Sequence, residues 1–507
     1  MLRELQQQRG RCYEMNSYIL GIDQSTQGTK ILLFAADGSI VHKAAKAHRQ
    51  YINDKGWVEH DPEEIWQNVR TLVSDTLQET GVCSGEIKAI GISNQRETAA
   101  VWQRSTGRPL GRAIVWQCPR GEAICEQLRP YGQEIQDITG LPLSPYFSAA
   151  KFAWALQNMA DAADLMKQAD LCLGTMDSWL VYKMTAGKVF ATDFSNASRT
   201  QLFDIDKLCW SEKAADIFGI CISALAEVRD SNGFYGKTDF DGVLAEKVPI
   251  RAVLGDSHAA LFAQGCYTPG TAKATYGTGS SVMMNVGSRP VRSQAGLAAS
   301  LAWSISGKPS YVLEGNINYT GAAVTWLKDD LQLILSPQET STLAAAANPQ
   351  DHSYFVPAFT GLGAPYWASK ATGIYTGITR TTGKKEMVRA VLDAIAYQIN
   401  DVVSLMERES GYKLSELRVD GGPTGNVYLM QFQADMLNGD VKVPELADLS
   451  AAGAAYAAGI AAEVYDSYTV MNGVKRVAFH PHMQEKLRTN LLNGWKKAIE
   501  QTVNMAS

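Results

Sequence analysis

Two segments far apart in the chain share one pattern: an apolar run, a turn rich in glycine and hydroxyl groups, and a second apolar run. The first is Gly21-Ile-Asp-Gln-Ser-Thr-Gln-Gly-Thr-Lys30, and the second is Thr275-Tyr-Gly-Thr-Gly-Ser-Ser281. Two apolar runs joined by a glycine turn predict a β-hairpin. Since one such hairpin lies in each half of the chain, we expect two related domains.

The composition of both turns is typical of a phosphate-binding loop. Glycine lets backbone N–H groups approach a phosphate, hydroxyl groups donate to its oxygens, and a carboxylate can hold Mg²⁺ against it. Asp23 lies within the first segment, and Asp256 lies shortly before the second. One Gly-Thr turn alone is most often an ordinary turn. Two of them, each close to an aspartate, indicate a nucleotide held between two domains.

Length and composition agree with two soluble domains. A chain of 507 residues exceeds what one hydrophobic core usually serves. Hydrophobic residues make up 46% and charged residues 20%, which is ordinary for a globular protein. The formal net charge of −5 argues against nucleic acid or an anionic membrane as the main partner. Because the chain has no continuous apolar run of membrane-spanning length, we expect no membrane insertion.

The eight cysteines are scattered, with neither a Cys-x-x-Cys pair nor histidines at zinc spacing. This distribution favours reduced cysteines in a cytoplasmic enzyme over a disulfide framework or a metal site. Residues 1–14 carry charge and glutamine but lack the apolar core of a secretory signal. We expect them to be a disordered N-terminal extension, with the fold beginning at Met15.

Strand-like runs alternate with helical patterns, which predicts α/β domains. Residues 87–92 and 99–102 read as strands, Asp61-Pro62 as a helix start, and Lys384 to Met406 as a long helix with an apolar stripe. The change from one half to the other falls near residues 264–270. The predicted domains are therefore 15–265 and 266–507.

Blocks of sequence between about residues 17 and 500 resemble the FGGY family of carbohydrate kinases, and within it the glycerol kinases. The family's two signature regions resemble residues 146–154 and 373–380, although Ala155 stands where a larger apolar residue is usual. The other matching blocks are 56–62, 94–98, 113–118, 196–199, 275–279, 356–367 and 418–422.

The resemblance implies a two-domain α/β protein with the actin/hexokinase/Hsp70-like ATPase fold, built from ribonuclease H-like domains with a cleft between them. It also implies transfer of the γ-phosphoryl group of ATP to a hydroxyl of a small sugar or polyol, with Mg²⁺ as the metal. The N-terminal domain would bind the acceptor and carry the first phosphate loop, and the C-terminal domain would bind the nucleotide. We expect a homodimer or homotetramer.

Asp256 is the candidate catalytic base. It follows the apolar run 250–254, matches the family's base, and a positioned carboxylate can accept the proton of an attacking hydroxyl. The alternative is a helix-capping aspartate in front of Ser257-His258. By resemblance, Asp23 is the carboxylate on the Mg²⁺ side, with Asp256 also near the metal. Thr26, Gly28 and Thr29 would lie near the transferred phosphate.

Other residues are assigned to the nucleotide by resemblance. In isolation each glycine among them would be an ordinary turn residue, and only their order along the chain supports the assignment. The candidates are Gly277, Thr278 and Gly279 for the phosphates, Gly321 on the nucleotide side, and Gly421, Gly422 and Asn426 for the adenosine.

Arg96 and Glu97 are the candidate acceptor clamp. A guanidinium and a carboxylate side by side can grip adjacent hydroxyls as donor and acceptor, although a structural ion pair is the alternative. Trp116 and Tyr146 match the family's aromatic wall and hydroxyl contact, and this assignment depends on the resemblance alone.

The chain also departs from the glycerol kinases. Ser257 and Ser281 stand where those enzymes carry glutamine and an aromatic residue, and Thr325 replaces a glutamine on the nucleotide side. Smaller, polar residues enlarge a pocket, so we expect an acceptor other than glycerol. A true glycerol kinase is the alternative, and a non-kinase ATPase of the same fold is a remote one. The glycine- and lysine-rich loop used for sugar-bisphosphate regulation is replaced by residues 236–244, so we expect no such regulation.

Overall fold

The computed structural model describes residues 16–466 and 473–505, so the predicted extension 1–14 lies outside the described residues. The chain divides into two compact units. The first comprises the chain up to Gly265 together with Leu301–Pro309 and Asp448–Gly473. The second comprises Cys266–Ser300, Ser310–Ala447 and the chain from Val474 onward.

The strands before Gly265 belong to the first unit, and the later ones belong to the second unit, except for the parts of β18 and β19 that lie within Leu301–Pro309. In chain order the strands are β1 (Tyr18–Gln24), β2 (Gly28–Phe34), β3 (Ile40–Ala47), β4 (Gln50–Ile52), β5 (Val58–His60), β6 (Ile87–Asn94), β7 (Ala99–Gln103), β8 (Ala113–Ile114), β9 (Leu171–Thr175), β10 (Ala191–Asp193), β11 (Phe203–Asp204), β12 (Cys209–Trp210), β13 (Glu227–Arg229), β14 (Lys237–Thr238), β15 (Val248–Gly255), β16 (Thr271–Tyr276), β17 (Ser280–Gly287), β18 (Ala298–Ile305), β19 (Lys308–Ile317), β20 (Tyr354–Val356), β21 (Ile374–Thr376), β22 (Glu416–Asp420), β23 (Val441–Pro444) and β24 (Arg476–Phe479).

The main sheets of the two units repeat one arrangement. In the first unit the order is β14-β15-β6-β1-β2-β3, with β1, β6 and β15 parallel and with β1, β2 and β3 antiparallel. In the second unit the order is β18-β19-β17-β16-β22-β23-β24. There β16, β22 and β23 are parallel, while β16, β17 and β19 are antiparallel. Both sheets therefore join an antiparallel meander to parallel strands. The two predicted hairpins, β1–β2 and β16–β17, occupy equivalent positions.

Helices cover these sheets. The α-helices are Pro62–Thr80, Glu122–Gln127, Gly132–Thr139, Ser148–Asn158, Ala162–Lys167, Met176–Met184, Phe194–Ala197, Glu212–Phe218, Asp256–Ala263, Gly321–Asp329, Glu339–Ala345, Lys384–Ser410, Val427–Leu437, Leu449–Ala461 and Glu485–Asn504. Short 3₁₀ turns occupy Ser84–Glu86, Pro119–Gly121, Arg129–Tyr131, Ile222–Ala224 and Gly422–Gly425.

The helix Pro62–Thr80 begins where the sequence predicts. The Asp61 carboxylate accepts hydrogen bonds from the backbone N–H groups of Glu63 and Glu64, which otherwise have no partner inside the helix. Its apolar side, including Ile65 and Val69, packs into the same buried core as the inner strands β1 and β2. The helix therefore covers one face of the first main sheet.

The helix Leu449–Ala461 lies against this sheet at unusually close range, and glycines make the approach possible. A Cβ atom at Gly91 of β6 would lie 2.1 Å from the carbonyl oxygen of Ala454. On the neighbouring helix Asp256–Ala263, the carbonyl oxygen of Ala259 would lie 1.8 Å from a Cβ atom at Gly453. The packing explains why residues 448–473 belong to the first unit. The predicted boundary placed residues 301–309 and 448–473 in the C-terminal domain, because it did not anticipate that the chain returns to the first unit at these two segments.

A smaller sheet, β4-β5-β8-β7-β9, lies in the first unit. Its core includes Val101, Ile114 and Phe152, the last from the helix Ser148–Asn158. The remaining pairings, β10–β13, β11–β12 and β20–β21, are two-stranded.

The helix Lys384–Ser410 of the second unit confirms the prediction from the apolar stripe, because Val391, Ile395 and Ile399 are all buried. Within residues 16–466 and 473–505, no helix is long and apolar enough to cross a membrane. The cysteines of the same ranges are all free thiols.

Candidate active site

The first hairpin places Asp23 at the end of β1. Asp23 lies opposite Lys30 of β2 and beside Ser93 of β6, whose hydroxyl donates to Asp23 Oδ1 at 3.0 Å. The side chain is only 6% exposed. A carboxylate at the edge of a sheet, next to a hydroxyl-rich turn, is well placed to bind a hydrated cation.

The charge of Asp23 is destabilised by its surroundings. Burial raises the pKa of Asp23 to about 6; the Lys30 ammonium opposes this shift, and the Asp256 carboxylate adds to it. Lys30 itself donates to the Asp448 carboxylate at 2.9 Å, so its charge is shared between two acids. A bound cation would compensate the cost of ionising Asp23.

The turn between β1 and β2 carries two of the predicted phosphate residues on its accessible side. Thr26 is half-buried, and its hydroxyl accepts a hydrogen bond from Trp116 Nε1 at 3.0 Å. Gly28 begins β2, where a Cβ atom would lie 2.6 Å from the Lys46 carbonyl oxygen, so no side chain fits there. Thr29 is different: it is fully buried, and its hydroxyl has no hydrogen-bond partner among residues 16–466 and 473–505.

The structure brings Arg96, Glu97 and Asp256 together. Arg96 Nε lies 3.3 Å from Asp256 Oδ1 and 3.8 Å from Glu97 Oε1. Arg96 and Glu97 are buried, whereas the Asp256 side chain is 34% exposed. Asp256 begins the helix Asp256–Ala263, and Gly255 before it admits the arginine, because a Cβ atom there would lie 2.7 Å from Arg96 Cγ. One accessible carboxylate therefore stands beside a buried guanidinium.

Glu97 has a second cationic neighbour that the sequence analysis did not assign. Arg199 Nε donates to Glu97 Oε1 at 2.7 Å, and both side chains are at most 2% exposed. Glu97 has φ = 59°, a left-handed conformation uncommon outside glycine. Backbone strain of this kind persists where surrounding contacts fix it. Arg199 ends the matching block 196–199, and that membership was the only signal for it.

A buried polar network supports the strand ends below this group. Asn94 and Asn196 exchange two amide hydrogen bonds, at 2.9 and 3.0 Å. Asp193 accepts from the Asn196 amide, and the Ser195 hydroxyl accepts from the backbone N–H of Gly255 at 2.9 Å. The network links the end of β6 to Gly255, the residue before Asp256. It therefore fixes the backbone positions from which the Arg96 and Asp256 side chains extend. The sequence analysis assigned no role to these residues, although Asn94 and Asn196 lie in the matching blocks 94–98 and 196–199.

Trp116 and Tyr146 form the aromatic side of the site. Their ring centroids lie 5.4 Å apart in an edge-to-face arrangement, and both side chains are half-buried. Behind Tyr146, the fully buried Lys151 donates to the carbonyl oxygens of three consecutive residues, 145–147. Lys151 belongs to the first signature region, but the sequence alone gave it no role.

Ser257, one of the two departures at the predicted acceptor pocket, lies next to Asp256 in the first unit. Its backbone N–H donates to Asp256 Oδ1 at 2.6 Å, and its side chain is partly exposed. A serine here leaves more space beside the carboxylate than a glutamine would.

Ser281, the other departure, lies in the second unit. Its hydroxyl donates to Glu314 Oε1 at 3.0 Å, and Glu314 is 2% exposed. The donor that this serine adds is therefore used inside its own sheet, on a carboxylate that needs a partner. This contact lessens the hydrogen-bonding capacity that Ser281 could offer to a substrate.

The second hairpin turn is enclosed by backbone. The carbonyl oxygens of Gly277 and Thr278 accept from the backbone N–H groups of Gly321 and Thr320, each at 2.9 Å. A Cβ atom at Gly279 would lie 2.3 Å from the Ile317 carbonyl oxygen. The turn is thus fixed against the start of the helix Gly321–Asp329, whose first backbone N–H groups donate to the carbonyl oxygens of the turn.

A cavity of about 620 Å³ opens beside this turn within the second unit. Among the residues that the structure describes, no Asp, Glu, Lys or Arg lines it. The lining residues are Tyr276, Gly277, Thr278, Gly321, Ala322, Val324, Thr325, Pro337, Gln338, Thr340, Ser341, Leu392, Gly422, Pro423, Gly425, Asn426 and Leu429. A mostly apolar pocket with a few polar groups suits a nucleoside.

Two of the residues predicted to contact the adenosine, Gly421 and Asn426, make contacts within the protein that stabilise the cavity wall. Gly421 has φ = 100°, and a Cβ atom there would lie 2.0 Å from the Tyr276 carbonyl oxygen. The Asn426 amide is occupied at both ends: its oxygen accepts from the Leu429 N–H at 3.0 Å, and its nitrogen donates to Thr340 Oγ1 at 2.9 Å. Asn426 is therefore a helix cap that also fixes one wall of the cavity through its contact with Thr340.

The residues present fit a nucleotide with Mg²⁺. The cavity is large enough for a nucleoside, the two turns have no room for a side chain at Gly28 and Gly279, and Asp23 is a buried acid whose ionisation a cation would favour. In the part of the chain that the structure describes, no group of three or more His, Cys, Asp or Glu could hold a metal ion. Mg²⁺ needs no such cage, since one or two carboxylates, waters and phosphates suffice.

Comparison with protein families and known proteins agrees with this geometry. Residues 18–263 match the N-terminal domain, and residues 272–462 the C-terminal domain, of the FGGY family of carbohydrate kinases. Glycerol kinase 1 of Thermotoga maritima is 44% identical over 488 residues, which cover 96% of this chain and 99% of that protein. Glycerol kinase of Bacillus licheniformis is 43% identical, with coverages of 96% and 99%.

A solved structure gives the same result for the fold. The crystal structure of Plasmodium falciparum glycerol kinase with ADP superposes with a TM-score of 0.91 at 35% identity, covering 96% of this chain and 98% of that one. The expected actin/hexokinase-like two-domain α/β fold and the expected family are thus confirmed. The protein is an ATP-dependent kinase of alcohol groups that uses Mg²⁺. This chain belongs to the FGGY family of carbohydrate kinases.

Proposed function

We propose that this protein transfers the γ-phosphoryl group of ATP to a hydroxyl group of glycerol. The observation that carries the proposal is the group formed by Arg96, Glu97 and Asp256, with one accessible carboxylate held beside a buried guanidinium at 3.3 Å. A non-kinase ATPase has no need of a polyol clamp. Two further observations support glycerol in particular: the extent of the match to glycerol kinases, and the small aromatic-walled site of the first unit.

Arg96 and Glu97 bind the acceptor in this proposal. A guanidinium donates, a carboxylate accepts, and a polyol hydroxyl does both, so the pair can orient adjacent hydroxyls. Arg199 holds the Glu97 carboxylate from the buried side at 2.7 Å. Trp116 and Tyr146 contribute apolar surface that excludes water from the carbon chain of the acceptor.

Asp256 acts as the general base. As the acceptor hydroxyl attacks the γ-phosphorus of ATP, the bond from that phosphorus to the bridging oxygen breaks and ADP leaves. The hydroxyl proton moves to a carboxylate oxygen of Asp256, which is the more exposed of the two carboxylates in the group. Arg96 keeps that carboxylate in position through its contact with Oδ1. Little covalent chemistry is required of the protein, since positioning and charge neutralisation account for most of the acceleration in phosphoryl transfer.

The nucleotide is assigned to the second unit. Gly277, Thr278 and Gly279 hold the phosphates through backbone and hydroxyl donors, and the 620 Å³ cavity takes the nucleoside. Asp23, Thr26 and Gly28 serve the metal and the transferred phosphate from the first hairpin. Bound Mg²⁺ neutralises charge that develops on the phosphate oxygens.

The comparisons favour glycerol over our sequence-based expectation of a different acceptor. Relatives that match 96% of the chain at 43–44% identity are glycerol kinases. A longer polyol stays the second candidate, on one observation: Ser257 leaves space beside Asp256. The companion argument from Ser281 is weaker, because its hydroxyl is already bonded to Glu314.

Coupled ADP release, measured with glycerol, erythritol, pentitols, ketopentoses and hexonates, tests the proposal. Glycerol should give the highest kcat/KM, about 10⁵ M⁻¹s⁻¹ or above, as for an efficient enzyme. If a longer acceptor gives a kcat/KM at least about tenfold higher than that of glycerol, the second candidate, a longer polyol, is the substrate. ADP release that no acceptor stimulates would contradict kinase activity itself.

A further inference from the structure

Lys151 is a buried cation with an unusual set of partners. It lies in the first turn of the helix Ser148–Asn158 and has no exposed surface. Its Nζ donates to the carbonyl oxygens of Pro145 at 2.8 Å, Tyr146 at 2.5 Å and Phe147 at 3.0 Å. An ammonium has three donors and no acceptor, so these three carbonyls use its full capacity.

This arrangement is costly as packing alone. Burial of an ammonium is unfavourable, and a cation in the first turn of a helix is opposed by the helix dipole. Burial lowers the pKa of Lys151, whereas the Glu97 carboxylate raises it and the three carbonyl acceptors favour the charged form. A methionine would fill similar space without these costs. The cation instead does what an apolar side chain cannot: it draws three consecutive carbonyl oxygens to one point.

The backbone segment 145–147, whose carbonyl oxygens accept from Lys151, includes Tyr146. The ring of Tyr146 lies 5.4 Å from that of Trp116, and Trp116 Nε1 donates to Thr26 Oγ1 in the first hairpin turn. On the other side, the Ser148 hydroxyl donates to the carbonyl oxygen of Glu97 at 3.1 Å. The conformation of residues 145–148 thus sets where the aromatic wall stands relative to the clamp.

We propose that Lys151 is a positioning residue of the acceptor site, which fixes the backbone of residues 145–147 so that Tyr146 stands against Trp116. The proposal depends on the proposed function, since it assumes that this wall contacts the acceptor. Lys151 acts through Tyr146 and touches neither substrate. Its loss therefore affects acceptor binding more than nucleotide binding or the chemical step.

A double-mutant cycle tests the assignment. In Lys151→Met, the KM for glycerol should rise about tenfold or more, as expected when buried carbonyls lose their donor, while the KM for ATP changes less than about twofold. In a Tyr146→Ala background, the same substitution should change the glycerol KM by less than about twofold, because residues that act as one unit are not additive. Lys183→Met is the matched control, since Lys183 pairs with Glu63 in the same unit, and it should leave both constants unchanged.

Two conservative variants keep the test decisive if Lys151→Met does not fold. Lys151→Gln retains two N–H donors and Lys151→Arg retains the charge, so both should raise the glycerol KM less than methionine does. Equal changes in both KM values, or full additivity with Tyr146→Ala, would overturn the positioning role and leave the proposed function standing. A wild-type enzyme that phosphorylates none of the polyols would instead contradict the proposed function, and this inference with it.

Discussion

The guanidinium of Arg199 lies 2.7 Å, Nε to Oε1, from the carboxylate of Glu97, and neither side chain is more than 2% exposed. Arg96 approaches the same carboxylate oxygen at 3.8 Å. Glu97 therefore lies between two cations, in a backbone conformation with φ = 59°. Removing one partner of a buried pair leaves an uncompensated charge, whose cost is far larger than the net value of the pair.

Replacement of Arg199 should affect both stability and acceptor binding. Arg199→Met should lower the free energy of unfolding by about 3–5 kcal/mol, and Arg199→Lys by less, because lysine retains the charge. The glycerol KM should rise in both variants, since Glu97 loses its fixed position. Urea unfolding and steady-state kinetics give the two values. An unchanged glycerol KM in a folded Arg199→Lys protein would argue that Arg199 is purely structural.

Asp256→Asn should abolish the proton acceptor with little change in shape. We expect kcat to fall by about 10²-fold or more, while the KM for ATP and the melting temperature stay close to wild type. Single-turnover measurements with saturating glycerol provide the check. Near-normal turnover would exclude Asp256 as the base and leave it the role of the first residue of its helix.

Asp23 predicts a specific pH dependence. Burial raises its folded-state pKa from 3.8 to about 6, so the folded protein binds the proton more tightly than the unfolded chain. The resulting cost to stability is absent below about pH 4, grows as pH rises from 3.8 to 6, and is fully present at pH 7. Without Mg²⁺, Asp23→Asn should thus be more stable than wild type at pH 7, by at most about 3 kcal/mol, and the difference should vanish near pH 4.

The same titration should govern the metal. Because Mg²⁺ binds the ionised carboxylate, the half-saturating Mg²⁺ concentration for turnover should increase as pH falls through 6. Wild type and Asp23→Asn are compared from pH 5 to 8. A Mg²⁺ requirement that is identical in the two proteins at every pH would remove Asp23 from the metal site.

Asn426 should behave as a structural residue of the nucleotide cavity. Asn426→Ala removes both the helix cap and the contact with Thr340, so stability should fall by about 1–2 kcal/mol and the KM for ATP should rise. Asn426→Asp keeps the cap acceptor and loses only the donor, and it should be the milder change. Thermal unfolding with and without ADP separates the effects. An alanine variant as stable as wild type would indicate direct nucleotide contact instead.

Ser257→Gln tests the space beside Asp256. Filling it should lower kcat/KM for erythritol relative to glycerol by roughly 10-fold or more, equivalent to about 1–3 kcal/mol of discrimination. Ser223→Gln, an exposed change elsewhere in the first unit, serves as the control. If the ratio of the two acceptors is unchanged, residue 257 does not contact the acceptor.

Local features of this fold could be read from the sequence because they depend on neighbours along the chain. The hairpins around residues 23 and 277, the cap at Asp61 and the stripe through Val391 each need only a short window. The family resemblance supplied the order of the functional residues. It did not reveal how those residues are held.

Most of the supporting contacts could not be predicted because they join distant parts of the chain; Lys151 is the exception, since its three partners lie only four to six positions before it. Arg199 and Lys151 each lie in a recognisable block, yet their partners Glu97 and 145–147 are set by the fold. The same holds for Ser281, whose hydroxyl was expected to serve a pocket and instead donates to Glu314. A sequence pattern can identify polar residues that are important for the site, but it does not identify their hydrogen-bond partners.

The close packing of the helix Leu449–Ala461 on β1 and β6 has a consequence for biosynthesis. The ion pair between Lys30 and Asp448 joins residues 418 positions apart, and the close contact between Gly91 and Ala454 also joins distant parts of the chain. On the ribosome, at about 5–20 residues per second, β1 waits roughly 20–80 s for the helix that covers it. Until then the first sheet lacks the helix that covers one of its apolar faces, so this layer of the first unit can be completed only near the end of synthesis.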